Sequence, residues 1–182
     1  MQPIQQLTRT LAEVGSAQHY LFALSDLRAA VPDTSESAFR SLLSRAVRDG
    51  LLMRICRGLY LYGKVDYPRG LVLFHAAARL RAGAFNYLSL ETVLSDAGVI
   101  SQIPINWITL MSSSRSNVIR CGDWGTIEYV HTDKPADTVQ DELLYDRDCG
   151  LWRATVTLAM QDMRATRRSL DLIDWDALDE LV

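Results

Sequence analysis

Apolar positions along the chain fall into short periodic runs broken by polar or glycine stops, and the period changes from segment to segment. Ile4, Leu7, Leu11 and Val14 recur at helical spacing with Gly15 behind them, so residues 3–14 predict an amphipathic helix. His19 to Ala23 predict a short extended piece, after which Ser25 is placed to cap a helix over 26–31 that Pro32 helps to end. Past the polar turn Asp33-Thr34-Ser35, the side chains of Phe39, Leu42, Leu43, Ala46 and Val47 line one face of a helix over 36–49, stopped by Gly50. Residues 51–56 and 59–62, around Arg57-Gly58, predict a two-stranded hairpin, and residues 63–66 a junction.

The second half reads differently. A helix over 68–81 is closed by Gly83, and Ser89 caps a short helix over 90–97 that Gly98 ends. Residues 105–111 predict a buried strand with Trp107 in the core. A second hairpin, 117–121 with 126–131, turns at Gly122-Asp123-Trp124-Gly125. A long helix over 151–164 would bury Trp152, Val156, Ala159, Met160 and Met163, with Arg164, Arg167 and Arg168 complementing the dipole at its end, and a short helix lies near 175–181. The expected fold is α+β: an N-terminal winged helix-turn-helix over 1–64, then a mixed α/β C-terminal domain over 65–182.

Composition leaves this picture intact: 48% hydrophobic and 23% charged residues in 182 suit a globular chain. The opening residues lack a basic start and an apolar stretch, and no apolar run approaches the roughly 20 residues that span a bilayer, so a cytoplasmic protein without membrane contact is expected. Cys56, Cys121 and Cys149 are odd in number and without C-x-x-C spacing, which predicts reduced thiols. With His19, His75 and His131 scattered as well, no metal or cofactor is expected. The sequence lacks G-x-S-x-G, P-loop, H-E-x-x-H and dinucleotide motifs, so no catalytic role is expected. His75 reads as a satisfied core histidine. Asp146-Arg147-Asp148 reads as a cation loop or an ordinary polar one, and the acidic residues after Asp171 as a solvated helix face.

Charge does change the picture once it is divided. The net charge is −3, yet residues 1–64 hold eight Lys/Arg against five acids, +3, which leaves −6 on the remainder. The helix over 36–49 concentrates this charge: opposite its apolar stripe stand Ser37, Ser41, Ser44 and Arg48, flanked by Arg40 and Arg45. Small hydroxyls permit close approach and can donate to phosphates or bases, and arginine bonds guanine bidentately, so this face suits a major groove. The alternative for such a face is plain solvation. What favours the groove is the order of elements: the helix stands second in a helix-turn-helix, and the hairpin behind it carries Arg54 and Arg57 at or near its tip.

From the hairpin onward the chain resembles a known family. Cys56-Arg57-Gly58-Leu59-Tyr60 is similar to the wing of the AbiEi-type antitoxins of bacterial type IV toxin–antitoxin pairs. Tyr87-Leu88-Ser89-Leu90-Glu91-Thr92-Val93-Leu94, with Gly98 after it, resembles the segment opening the family's second domain, and Thr157 to Met163 resembles its late helix. Thr92-Val93 stands where a small residue and alanine are usual, the wing is compact, and the acidic tail has no counterpart. The resemblance implies a repressor of its own operon that binds inverted repeats in double-stranded DNA and counteracts a nucleotidyltransferase-like toxin without an obligatory stable complex. It places the DNA contacts on Ser37, Arg40, Ser41, Ser44, Arg45, Arg54 and Arg57, the positions that the helical wheel and the hairpin also select. Two other readings stay open: a protein-interaction module on a winged-helix scaffold, and a ligand-responsive transcription factor without a toxin.

Overall fold

The structure, a computed structural model, describes residues 2–101 and 105–182 and divides into two compact units, Met1–Val72 and Leu73–Val182. In the first, α1 (Pro3–Val14), β1 (Leu21–Ala23), α2 (Leu24–Ala30) and α3 (Glu36–Arg48) precede the hairpin β2 (Met53–Cys56) and β3 (Leu59–Leu61). The strands pair antiparallel in the order β1-β3-β2, with the hairpin extended by β1 from ahead of α2 and α3. The predicted stripes make its core: Leu7 and Leu11 of α1 meet Leu27 of α2 and Phe39, Leu42, Leu43 and Ala46 of α3, closed by Phe22, Leu52 and Tyr62. Each such leucine stabilises the fold by about 1.5–3 kcal/mol through burial.

One expected cap is replaced. Helix α2 begins at Leu24, and the carboxylate of Asp26, not the hydroxyl of Ser25, accepts the Ala23 N–H at 2.8 Å. Asp26 reaches back from the third position of the helix, where an acid also meets the positive end of the dipole.

The second unit is built on a six-stranded mixed sheet. After a 3-10 turn at Arg69–Leu71 come α4 (Val72–Leu80), β4 (Asn86–Leu88), α5 (Leu90–Asp96), β5 (Trp107–Ser112), β6 (Asn117–Arg120) and β7 (Thr126–His131). Then follow α6 (Ala136–Val139), β8 (Leu143–Asp146), β9 (Leu151–Ala154), α7 (Val156–Ala165) and α8 (Trp175–Asp179). The strand order is β6-β7-β5-β4-β9-β8, with β5/β7 and β4/β9 parallel and the other pairs antiparallel.

Several expectations fail here for one reason, that a strand's partners are distant in sequence. Residues 151–164 are not one helix. Leu151–Ala154 forms β9 between β4 and β8, and the Thr155 hydroxyl accepts from Leu158 N–H at 3.2 Å to start α7 afresh. Trp152 consequently leaves the core and is 44% exposed, stacked edge-on against Tyr145 of β8. The strand expected from 105 begins at Trp107, and Ile105 stands in solvent. Trp107 is only half-buried, and its indole N–H donates to Glu128 at 3.0 Å. Arg168 lies beyond α7 and grips Glu91 of α5 at 2.5 Å and both carboxylate oxygens of Glu128 in β7 at 2.8 and 3.1 Å, in place of the expected dipole role. That grip, with the Trp107 bond, holds the Glu128 carboxyl below its usual range.

At the centre of the unit sits Asp162 on α7, wholly buried. Its carboxylate accepts from the hydroxyls of Ser89 at 2.7 Å and Tyr87 at 3.0 Å, and from Lys134 Nζ at 2.7 Å. Ser89 therefore holds the end of β4 to α7, although sequence cast it as a helix cap. Burial, with the adjacent Asp162 carboxylate, pushes the Tyr87 phenol well above its ordinary value, so it remains a donor. Removing the carboxylate leaves two buried hydroxyls without an acceptor and Lys134 without a counter-charge. Asp162→Ala is expected to lower the unfolding free energy by about 3 kcal/mol. Urea denaturation of the full chain checks this, and a loss under about 1 kcal/mol would show that the node carries little.

Candidate nucleic-acid interface

Helix α3 is positioned before it is functional. The Ser35 hydroxyl accepts from Ala38 N–H at 3.3 Å, Glu36 occupies the positive end of the helix dipole, and Arg45 and Arg48 the negative end. The guanidinium of Arg28 on α2 lies over the Phe39 ring, 5.1 Å from its centroid, and fastens α2 to α3 at the edge of the core. Burial of the apolar stripe then leaves Ser37, Arg40, Ser41, Ser44, Arg45 and Arg48 exposed together along the opposite side.

The arginines differ in how free they are. Arg40 Nε meets Glu36 at 3.0 Å, and Arg48 Nε meets Asp49 at 2.8 Å. The bond to Arg48 holds Asp49 below the usual carboxylate range, so that acid stays ionised and competes for Arg48. Pairs this exposed contribute little to stability and exchange readily for another anion. Among the described residues Arg45, Arg54 and Arg57 make no ion pair within 4 Å, although the charge of Arg45 helps to hold the Asp49 carboxyl down. On α3 and the hairpin these are the arginines least engaged by acids.

The serines are pre-empted in part. Ser41 donates its hydroxyl hydrogen to the Ser37 carbonyl and Ser44 to the Arg40 carbonyl, both at 3.0 Å. What they turn outward is therefore lone pairs, suited to accept from a base amino group, while donation to phosphate requires a rotamer change. This refines the donor role read from sequence. Ser35, which sequence treated only as turn, is the cap, and a serine directly ahead of Glu36 and the apolar run carried that signal.

The hairpin is short and fastened. Gly58 turns it at φ 80°, a conformation that side chains rarely adopt, and its carbonyl accepts from Leu24 N–H at 3.0 Å at the start of α2. Arg57 is exposed at the turn. Arg54 is exposed on the edge strand β2, its Nε–H donating to the Cys56 carbonyl at 3.4 Å.

The other chemistry-bearing residues have structural partners. His75 Nε2 lies 2.6 Å from the Asp148 carbonyl. Asp146 accepts from Cys149 N–H at 2.9 Å and from Arg153 at 3.1 Å, in that order the causes that hold its carboxyl down. Cys56, Cys121 and Cys149 are buried free thiols, and burial pushes that of Cys149 up to about 11. Among the described residues no group of three or more His, Cys, Asp or Glu is placed to hold a metal, and no helix is long and apolar enough to cross a membrane.

Residues 9–63 match the family model described as a transcriptional regulator, AbiEi antitoxin. No curated protein matches the chain. The matched stretch runs from α1 to just past β3, so the family resemblance holds over the unit that carries α3 and the hairpin.

Because Ser41 and Ser44 bond only to their own helix, replacing both by alanine keeps the fold and removes residues of lower helix propensity. The double variant is expected to gain about 0.5 kcal/mol of stability. Chemical denaturation reads this directly, and a clear loss would mean that the hydroxyls hold something beyond their own turn.

Proposed function

We propose that this chain is a sequence-specific DNA-binding repressor that serves as the antitoxin of a type IV toxin–antitoxin pair. On this reading residues 1–64 bind inverted repeats in the chain's own promoter, and residues 65–182 carry the activity that counteracts a nucleotidyltransferase-like toxin in the cytoplasm. The observation that carries it is the exposed Ser/Arg face of α3, displayed by a unit whose residues match the AbiEi antitoxin regulators. The chain has no reaction of its own in this scheme.

The division of labour follows from which groups are free. Arg45 and Arg57, in no ion pair within 4 Å among the described residues, meet phosphates and fix the register. Arg40 leaves Glu36 for the duplex, and Ser37, Ser41 and Ser44 let the helix backbone approach base edges. Arg48 and Arg54 extend the phosphate contacts at the two ends of the surface.

A second reading has an observation of its own. Leu144 and Tyr145 on the edge strand β8 are 70% and 53% exposed, and Tyr145 packs on the exposed Trp152. Such groups suit a protein partner bound by the second unit. A toxin held there would make the chain an interaction module as well as a DNA binder.

A band-shift titration on the promoter fragment against a scrambled one, at two salt concentrations, tests the main reading. Promoter preference with affinity falling steeply in salt is expected. Arg40→Ala with Arg45→Ala should weaken promoter binding by roughly tenfold or more and flatten the salt slope by about 0.9 for each phosphate no longer neutralised. Equal affinity for both fragments, or a double variant that binds like the parent, would sink the groove assignment.

A further inference from the structure

Parallel strands present a ligand site outside their carboxyl ends, where neighbouring loops diverge. The longest parallel pair in this chain is β5 with β7, and both strands finish on one line, at the facing residues Ser112 and His131. Directly beyond lies an open basin of about 480 Å³, lined by Arg81, Ser113, Ser114, Arg115 and His131. The DNA-binding reading makes no use of it.

The basin's chemistry is one-sided. Arg81 is half-buried just past α4, its guanidinium over the Tyr129 ring, 3.9 Å from the centroid. It donates to Ser112 Oγ at 2.9 Å and to the Arg115 carbonyl at 2.7 Å, and further N–H groups of the fork remain. Among the described residues no carboxylate pairs with it. Burial pulls its pKa down, Tyr129 opposes this and the nearby charge of Arg115 adds to it, so the cation is held with aromatic and neutral oxygen partners in place of a carboxylate.

His131 adds to the imbalance. Nδ1 lies 3.1 Å from the Ser114 carbonyl and Nε2 lies 2.8 Å from Asp133. Both partners only accept, so the imidazolium satisfies both, and the Asp133 carboxylate followed by the carbonyl raises its pKa. The Asp133 side chain stands almost wholly in water, which weakens its hold on the local field. Ser113 Oγ accepts from Phe85 N–H at 3.2 Å, which leaves its own hydrogen to donate.

We propose that this basin binds the phosphate group of a small phosphorylated ligand, held by Arg81 and Arg115 with the hydroxyls of Ser113 and Ser114. A guanidinium fork matches phosphate oxygens in pairs, and hydroxyl donors on a second side suit a tetrahedral anion better than a planar carboxylate. The basin is concave and of the size that takes a metabolite or nucleotide rather than a duplex. The site belongs to the second unit and stands whether or not the first binds an operator.

Calorimetric titration of the full chain tests this with inorganic pyrophosphate, a nucleoside triphosphate and the parent nucleoside, against sodium chloride of equal ionic strength. One-to-one binding of pyrophosphate is expected, with none for the nucleoside or chloride. Arg115→Ala, on an exposed side chain, should weaken it roughly tenfold or more, and Arg9→Ala on α1 should leave it unchanged. Arg81→Lys keeps the charge but loses the fork and should weaken it as well, with thermal unfolding confirming that each variant is folded. A triphosphate that binds more tightly than pyrophosphate identifies a nucleotide ligand, and equal affinities identify a free phosphoanion; both support the site. Affinity unmoved in Arg115→Ala and folded Arg81→Lys overturns it, as does absence of binding by either phosphate compound. An Arg115-dependent response to duplex DNA alone overturns it too, in favour of an extended backbone contact.

Discussion

Burial of four side chains on α3 decides what the first unit can present. Phe39, Leu42, Leu43 and Ala46 are all essentially withdrawn from water, so the helix has no rotational freedom about its own axis. A turn of even one position would expose part of that stripe and bury an arginine, at a cost of several kcal/mol. The Ser/Arg face is thus held outward by the core behind it, not by contacts of its own. Asp26, Ser35 and the Leu24–Gly58 backbone bond then fix where α2, α3 and the hairpin begin and turn.

The second unit relies on a different kind of constraint. Its sheet mixes parallel and antiparallel pairs whose members lie far apart in the chain, and polar groups at the crossings supply the registration. Asp162 gathers β4, α7 and Lys134 at one buried carboxylate, while Arg168 gathers α5 and β7 through Glu91 and Glu128. Buried charges of this kind are stable only when every partner is present, which makes the arrangement specific as well as strong. The same topology sets the carboxyl ends of β5 and β7 side by side and turns Arg81, Arg115 and His131 toward one basin. Cations are thus displayed on both units, along a helix face in the first and in a concave basin in the second.

How much of this was legible beforehand follows the range of the interactions. The helix over 3–14, the stripe and stops of α3, the Arg57-Gly58 turn and the hairpin closing at 126–131 all rest on neighbours within a few residues, and periodicity exposes them. The long helix expected over 151–164 did not survive because Trp152 and Val156 satisfy a helical spacing with the stripe that follows, and only the pairing of Leu151–Ala154 with β4 and β8 breaks that run. Strands β4 and β8 escaped prediction since three or four residues carry no period of their own. Ser25 and Ser89 looked like caps by residue type, but a carboxylate nearby in one case and a distant one in the other decided their roles.

The sequence alone therefore determined the first unit's element order, its apolar stripe and the basic, hydroxyl-bearing face opposite, because a helix and a tight turn are solved locally by spacing, caps and glycine. Only the tertiary structure decided that Leu151–Ala154 is a strand, that Tyr87 and Ser89 meet Asp162, and that Arg81, Arg115 and His131 share one basin. Those outcomes depend on contacts across 28 or more residues in places, as between Phe85 and Ser113, and no local pattern encodes which distant group a long flexible side chain will reach once the core has closed.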